Sequence, residues 1–164
     1  MLSRWRLRRR CAARLRELPM PVPFEVRALC QQVAAVRGRP IRLLPIAGLT
    51  GVCGLWVATD ASDLVFYEQD TTPSHQEHII LHELSHIICD HYPKSLSMAE
   101  QTRLLLPSLD PGMVRRVLGR AGYSNEEERE AEMLASLIWQ RRRQHAGDTP
   151  TDRLRAALDD PDHA

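Results

Sequence analysis

"HIILHELSHIICDH" (residues 78–91) sets two histidines, His82 and His86, four residues apart with Glu83 between them. On a helix, residues four apart differ by only about 40° around the axis, so the two imidazoles project side by side, one turn above the other. Two neutral imidazoles in that arrangement can bind one Zn²⁺ at roughly 2.0–2.1 Å each. Glu83 is rotated by about 100° from His82. It would flank such an ion without ligating it, where it can take a proton from water. The opposite side of the same helix holds Ile80, Leu84 and Ile87, with Leu81 and Ile88 at its shoulder. A core face and a chemical face are thereby separated. The plainer reading of the same residues is a polar helix face that happens to carry two histidines.

A catalytic zinc takes a third protein ligand and leaves a fourth position open. The stretch "SNEEEREAEMLASLIW" (124–139) supplies five glutamates near the start of a second helix. Ser124 and Glu127 stand in the S-x-x-E relation of a capping box, and Glu126 and Glu127 occupy the first turn, where negative charge favours the helix dipole. Glu128 shares a face with the small residues Ala131 and Ala135 and is the expected third ligand; Glu130 is the second choice. Glu132, one turn beyond Glu128, is expected to accept a hydrogen bond from the outward nitrogen of a liganding histidine, which would fix its tautomer.

Other polar residues have competing roles. His75, His78 and Cys89 fall near the His82 face, either as the polar rim of a cleft or as an alternative ligand set. His91 points about 180° from His82 on a continued helix and cannot share its ion. Tyr67 and Tyr92 each could offer a hydroxyl to a tetrahedral intermediate or serve as packing residues. Trp5, Trp56 and Trp139 are too scattered for a base-stacking platform and read as packing.

Outward from the quoted helix, the chain reads as α+β. An N-terminal helix repeats Leu7, Cys11, Leu15 and Leu18 at helical spacing, as if to dock on the domain. "LPMPVPF" breaks the chain, and a second helix ends at Gly38. Three short segments rich in β-branched and aromatic residues follow, at 41–47, 51–59 and 63–69. Turn-type spacers between them predict a small three-stranded antiparallel sheet flanked by helices. Pro73 opens the motif helix, expected to end near His91 because Pro93 follows. Two shorter helices are expected between Lys94 and Tyr123, the second capped by Asp110 with Pro111 at its first position. The last long helix runs from Ser124 to about Gln144. The expected organisation is a basic N-terminal helix and Pro-rich linker (1–22), a main domain (23–146) and an acidic tail (147–164).

A chain of 164 residues fits one domain. With 43% hydrophobic and 26% charged residues it is neither disordered nor fibrous in character. The net charge of +1 conceals an asymmetry, since the first 20 residues carry seven arginines against Glu17 and the remainder is net acidic. That cluster could contact phosphates or an acidic partner, but it lacks interleaved aromatics, so nucleic acid is not the expected partner. No run of 18 apolar residues and no signal-peptide core occurs, and a cytoplasmic location is expected. Cys11, Cys30, Cys53 and Cys89 form no C-x-x-C pair and read as reduced, mostly buried thiols.

"HELSH" with the later "EREAEMLASLI" resembles the ImmA/IrrE family of small metallopeptidases, whose pattern is H-E-x-x-H followed by E-x-x-A-[ND]-x-F-A. The similarity spans roughly residues 23–140. It implies a zincin-like active-site helix, Zn²⁺ held by His82, His86 and Glu128, and Glu83 as general base. It also implies an endopeptidase whose substrate is a partner transcriptional repressor of helix-turn-helix type. The chain departs from the pattern at Ser85, where glycine is common, at Glu132 and Leu134, and at "LIWQ" in place of "LLMP"; 41 residues separate His86 from Glu128. The competing functional expectation is a non-catalytic, zinc-stabilised regulator or toxin–antitoxin component that acts by protein binding alone.

Overall fold

The structure is a computed structural model that describes residues 3–48, 54–91 and 123–146. Helices α1 (Arg4–Glu17) and α2 (Val26–Arg37) come first, then strands β1 (Ile41–Ile46), β2 (Gly54–Ala58) and β3 (Asp63–Glu68). Helices α3 (Pro73–Ile88) and α4 (Asn125–Ala146) complete the order. The helices expected between Lys94 and Tyr123, the acidic tail, Tyr92 and Cys53 lie outside the described residues.

The helix ends follow from local chemistry. Thr72 caps α3, its hydroxyl accepting from the His75 backbone N–H at 3.3 Å, with Pro73 at the first helical position. Gly38 ends α2 at φ 64°, a left-handed conformation that glycine adopts without strain. At α4 the expected capping box is formed: the Ser124 backbone N–H donates to Glu127 Oε2 at 2.7 Å, and the Glu127 N–H to Ser124 Oγ at 3.3 Å.

The sheet is mixed, not antiparallel throughout. Its order is β1-β3-β2, with β1 parallel to β3 and β2 antiparallel to β3. The antiparallel expectation assumed that strands adjacent in sequence pair in sequence order. Only the β2–β3 hairpin does so, closed by a turn in which Thr59 N–H donates to the Ser62 carbonyl at 2.9 Å. The composition of β3 explains its central place: from Asp63 to Tyr67 every residue is buried, the continuous apolar pattern of a strand covered on both faces. Its one charged member in that run, Asp63, is held by Arg39 Nε at 3.1 Å and accepts from Trp56 Nε1 at 3.0 Å.

The main core is shared by all four described helices. Cys11 of α1, Leu29 and Val33 of α2, Ile80, Leu81 and Leu84 of α3, and Leu134, Ala135 and Ile138 of α4 form one buried cluster, with Leu7, Leu15 and Leu18 packed against it. The basic N-terminal helix is therefore docked on α4 and belongs to the same packed body as the motif helix. Trp56, Val65 and Ile87 form a second cluster where the sheet meets α3. Among the described residues, no helix is long and apolar enough to cross a membrane.

Cys11, Cys30 and Cys89 are free and buried, as expected. Burial pushes their thiols up from 9.0, to about 11 for Cys11 and about 12 for Cys30 and Cys89. An acid whose pKa is raised by folding contributes stability that is complete below its unfolded value and lost as the pH climbs to the folded one. Alkylation with iodoacetamide at pH 8, mapped by peptide mass spectrometry, should therefore leave these three positions largely unmodified in the native protein and label them fully after unfolding. The stability they contribute should be intact to about pH 9 and decline toward pH 11–12.

Candidate metal centre

Helix α3 packs against the sheet on one side and α4 on another, so its second half, from Ile79 on, is largely buried. Besides its apolar residues Ile79, Ile80, Leu81, Leu84 and Ile87, it buries Glu83, Ser85 and His86. Ser85 resolves its own burial by donating to the Leu81 carbonyl at 2.7 Å. His86 is fully buried, and Tyr123 stacks flat upon it with ring centroids 3.6 Å apart and planes inclined by 14°. Burial first, and then the neighbouring His82 and His91, push the pKa of His86 down to about 3, so the ring is neutral at ordinary pH.

The crossing of α3 and α4 brings the expected ligand set to one point. His82 Nε2 and His86 Nε2 are 3.2 Å apart. Glu128 Oε2 is 3.4 Å from His82 Nε2, and Glu128 Oε1 is 3.8 Å from His86 Nε2. Two donors each about 2.0–2.1 Å from a tetrahedral ion stand roughly 3.4 Å from one another. The separations found here bracket that value, so the residues present fit a tetrahedral metal with one position open. Glu132 Oε2 lies 3.4 Å from His82 Nδ1, the nitrogen facing away from this point, which is the supporting place expected for it.

Glu83 is packed beside the donors. Gly54, at the start of β2, gives it room: a Cβ there would lie 2.9 Å from Glu83 Oε1 and 2.6 Å from Ile79 Cγ2. Glu83 Oε2 is buried and has no hydrogen-bond partner among the described residues. Its carboxyl is pushed up to about 8 by burial first and by the charge of Glu128 second, with the Trp56 backbone N–H pulling the other way. The Tyr123 hydroxyl is also buried without a partner among the described residues. Burial, then the charges of Glu83 and Glu128, hold it protonated as a donor. A cleft of about 760 Å³ opens from His82, Glu128 and Glu132 toward Arg4, Leu7 and Arg8 of α1.

Several residues stand elsewhere than the sequence suggested. Glu130 does not approach His82 or His86. It is buried with Cys89 and His91, whose donor atoms lie within 4.8 Å of its own. Cys89 is therefore no part of a rim beside His82. The motif helix stops at Ile88, short of His91, because Asp90 adopts φ 55° and turns the chain back. His91 N–H then donates to the His86 carbonyl at 3.0 Å, and its ring meets the His86 ring, Nδ1 to Nδ1, at 3.2 Å. Extrapolating a straight helix placed it on the far side. Tyr67 is a core residue whose hydroxyl accepts from Arg27 at 2.8 Å. Tyr123, not weighed from the sequence, is the tyrosine that the described residues place at the site; its position immediately before the capping box was the available signal.

Three substitutions test this geometry. Measured by atomic absorption, Glu128→Gln should drop metal content from about one ion per chain to a small fraction of that. Glu130→Gln, whose amide oxygen can still accept from His91 Nε2, should retain the ion and instead lower stability by about 1–3 kcal/mol in urea titrations, the modest size reflecting the partial exposure of its arginine partners. Gly54→Ala should cost about 1–3 kcal/mol by overpacking and displace the Glu83 carboxylate, visible as altered proton uptake on its titration.

A scan against family models, a search of curated proteins and a search of solved structures each find no match to this chain. The arrangement of its own side chains is what carries a functional reading.

Proposed function

We propose that the chain is a Zn²⁺-dependent endopeptidase of the ImmA/IrrE type. The observation that carries this reading is the meeting of three donors at tetrahedral separations beside a buried carboxylate oxygen that no other group among the described residues satisfies. A burial cost of that kind, about 1–3 kcal/mol or more for a charged group, is retained where the group has a use.

His82, His86 and Glu128 would hold the ion. When bound, a Zn²⁺ acidifies water and polarises a carbonyl group. Beside it the carboxylate form of Glu83 is favoured over the protonated form. Glu83 accepts the proton of the attacking water at Oε2 as oxygen adds to the peptide carbonyl. It then returns that proton to the departing amine as the C–N bond breaks. Tyr123, kept protonated and close to Glu83 and Glu128, is the donor that the described residues offer to the developing oxyanion.

Strand β2 suits an extended substrate. Among the described residues it is the edge of the sheet on the side of α3, and an added strand along it would run past Glu83. On this reading the substrate is a segment of a partner repressor of helix-turn-helix type, and the protein acts in the cytoplasm.

Glu83→Gln tests the reading directly. Metal content should remain within about twofold of wild type, while cleavage of a proteome-derived peptide library, read by mass spectrometry, should fall by about 10²–10⁴-fold. A wild-type protein that holds the metal and cuts no peptide or repressor would instead favour action by binding alone. Cleavage that survives in Glu83→Gln would remove Glu83 from the chemistry.

A further inference from the structure

We propose that Glu130 and His91 are positioning residues for His86: a hydrogen-bonded line from the arginines of α1 through Glu130 and His91 holds the His86 ring as its Nδ1–H tautomer, with the bare Nε2 facing His82 and Glu128. The inference rests on the reading of His86 Nε2 as a metal donor, and deepens it by giving the basic first helix a place in the site.

The line is continuous. Arg10 Nη2 donates to Glu130 Oε2, and Arg14 Nε lies 3.6 Å from Glu130 Oε1. Glu130 Oε2 lies 3.2 Å from His91 Nε2, and His91 Nδ1 lies 3.2 Å from His86 Nδ1. His91, His86 and Glu130 are all buried.

Donor and acceptor roles along this line follow one from another. A carboxylate only accepts, so His91 Nε2 carries the hydrogen that faces Glu130. A neutral imidazole has one N–H, which leaves His91 Nδ1 as an acceptor. His86 Nδ1 must then be the donor, and its Nε2 is left with a free lone pair, the form a metal requires. The Glu130 carboxylate already faces two guanidiniums, those of Arg10 and Arg14. The same two guanidiniums argue against a second cation among Cys89, His91 and Glu130, since it would meet both of them.

Backbone contacts make the line rigid. Arg14 Nη1 donates to the Ile88 carbonyl at 3.1 Å, and Arg37 Nη1 to the Ile87 carbonyl at 3.1 Å and to Asp90 at 2.9 Å. They fix the turn that returns His91 to His86. Cys11 Sγ reaches the Glu130 carbonyl at 3.7 Å, tying α1 to α4 at the same level.

The test reads the tautomer in the metal-free protein. Long-range ¹⁵N–¹H correlation spectra at pH 7.5 should show His86 protonated at Nδ1, against the Nε2–H form commoner for a free imidazole. His91→Phe removes the acceptor; His86 should then lose that preference, and Zn²⁺ and Co²⁺ affinity, measured by competition with a chelator dye, should fall about 10–100-fold. His91→Gln, whose amide oxygen can accept from His86 Nδ1–H, should recover most of both. A wild-type His86 protonated at Nε2, or a His91→Phe variant that binds Zn²⁺ as tightly as wild type, overturns the proposal. If His91→Phe does not fold, the wild-type spectrum and His91→Gln still decide it. Failure of the endopeptidase reading is separable: a wild-type chain with His86 as Nδ1–H that binds no metal would sink that reading and leave this one standing.

Discussion

The packing of α3 against α4 is the contact on which the remaining structure depends, because it joins two segments whose polar residues have no reason to meet otherwise. Leu134, Ala135 and Ile138 on α4 are fully buried in the cluster that holds Ile80, Leu81 and Leu84 of α3, and Ala131 is fully buried as well. Each buried Leu or Ile contributes about 1.5–3 kcal/mol, and small residues at 131 and 135 let the helices approach closely. That apolar contact fixes the rotation of both helices. Rotation then decides which glutamates of the run 126–132 face the histidines: Glu128 meets Nε2 of both rings, and Glu132 the outer nitrogen of His82. Glu130, two residues on and about 200° round the axis, is carried to the other side of α4, toward α1.

Apolar packing also has to offset what the site costs. Glu83, His86, His91 and Glu130 are all buried, and burying a charge or an unsatisfied polar group is unfavourable. The protein meets the cost differently at each. Glu130 is compensated by Arg10 and Arg14, and His86 avoids it by remaining neutral. Glu83 is left largely uncompensated, with its pKa raised to about 8. An edge strand beginning in a glycine is part of the same arrangement, since any side chain at position 54 would occupy the space the carboxylate needs. Stability is thus conceded at one carboxylate, the one that the proposed mechanism would use as proton acceptor.

Residue spacing in the sequence was enough to read the local features of this site. A period of 3.6 put His82 and His86 together, the capping box marked the start of α4, and the alanine face selected Glu128 over Glu130. Strand pairing was not legible in the same way, because β1 and β2 look equally able to neighbour β3 and pairing in chain order is only a habit of small sheets. The unbroken burial of "DLVFY" is the sign that β3 lies in the centre, and an alternating-strand reading passes over it. His91 was misplaced for a simpler reason. A single left-handed residue, Asp90, ends the helical extrapolation, and aspartate tolerates that conformation without announcing it.

The arginine cluster shows the limit of reading charge from composition. Seven arginines in the first 20 residues suggest a surface for phosphates or an acidic partner, and the partner of two of them is inside the molecule. Arg10 and Arg14 sit four apart on α1, on one face with the buried Cys11 and the half-buried Leu7, and they reach a carboxylate on α4 that is 4% exposed. Such a pairing is invisible to spacing rules because its members are 120 residues apart. It changes what α1 is for. A helix that supplies the counter-charge to Glu130 cannot leave without stranding a buried carboxylate next to His91, and through His91 the disturbance would reach His86. The first helix is thus coupled to the candidate metal site by electrostatics as well as by packing, and the exposed arginines beside the cleft, Arg4 and Arg8, are held there by the same docking.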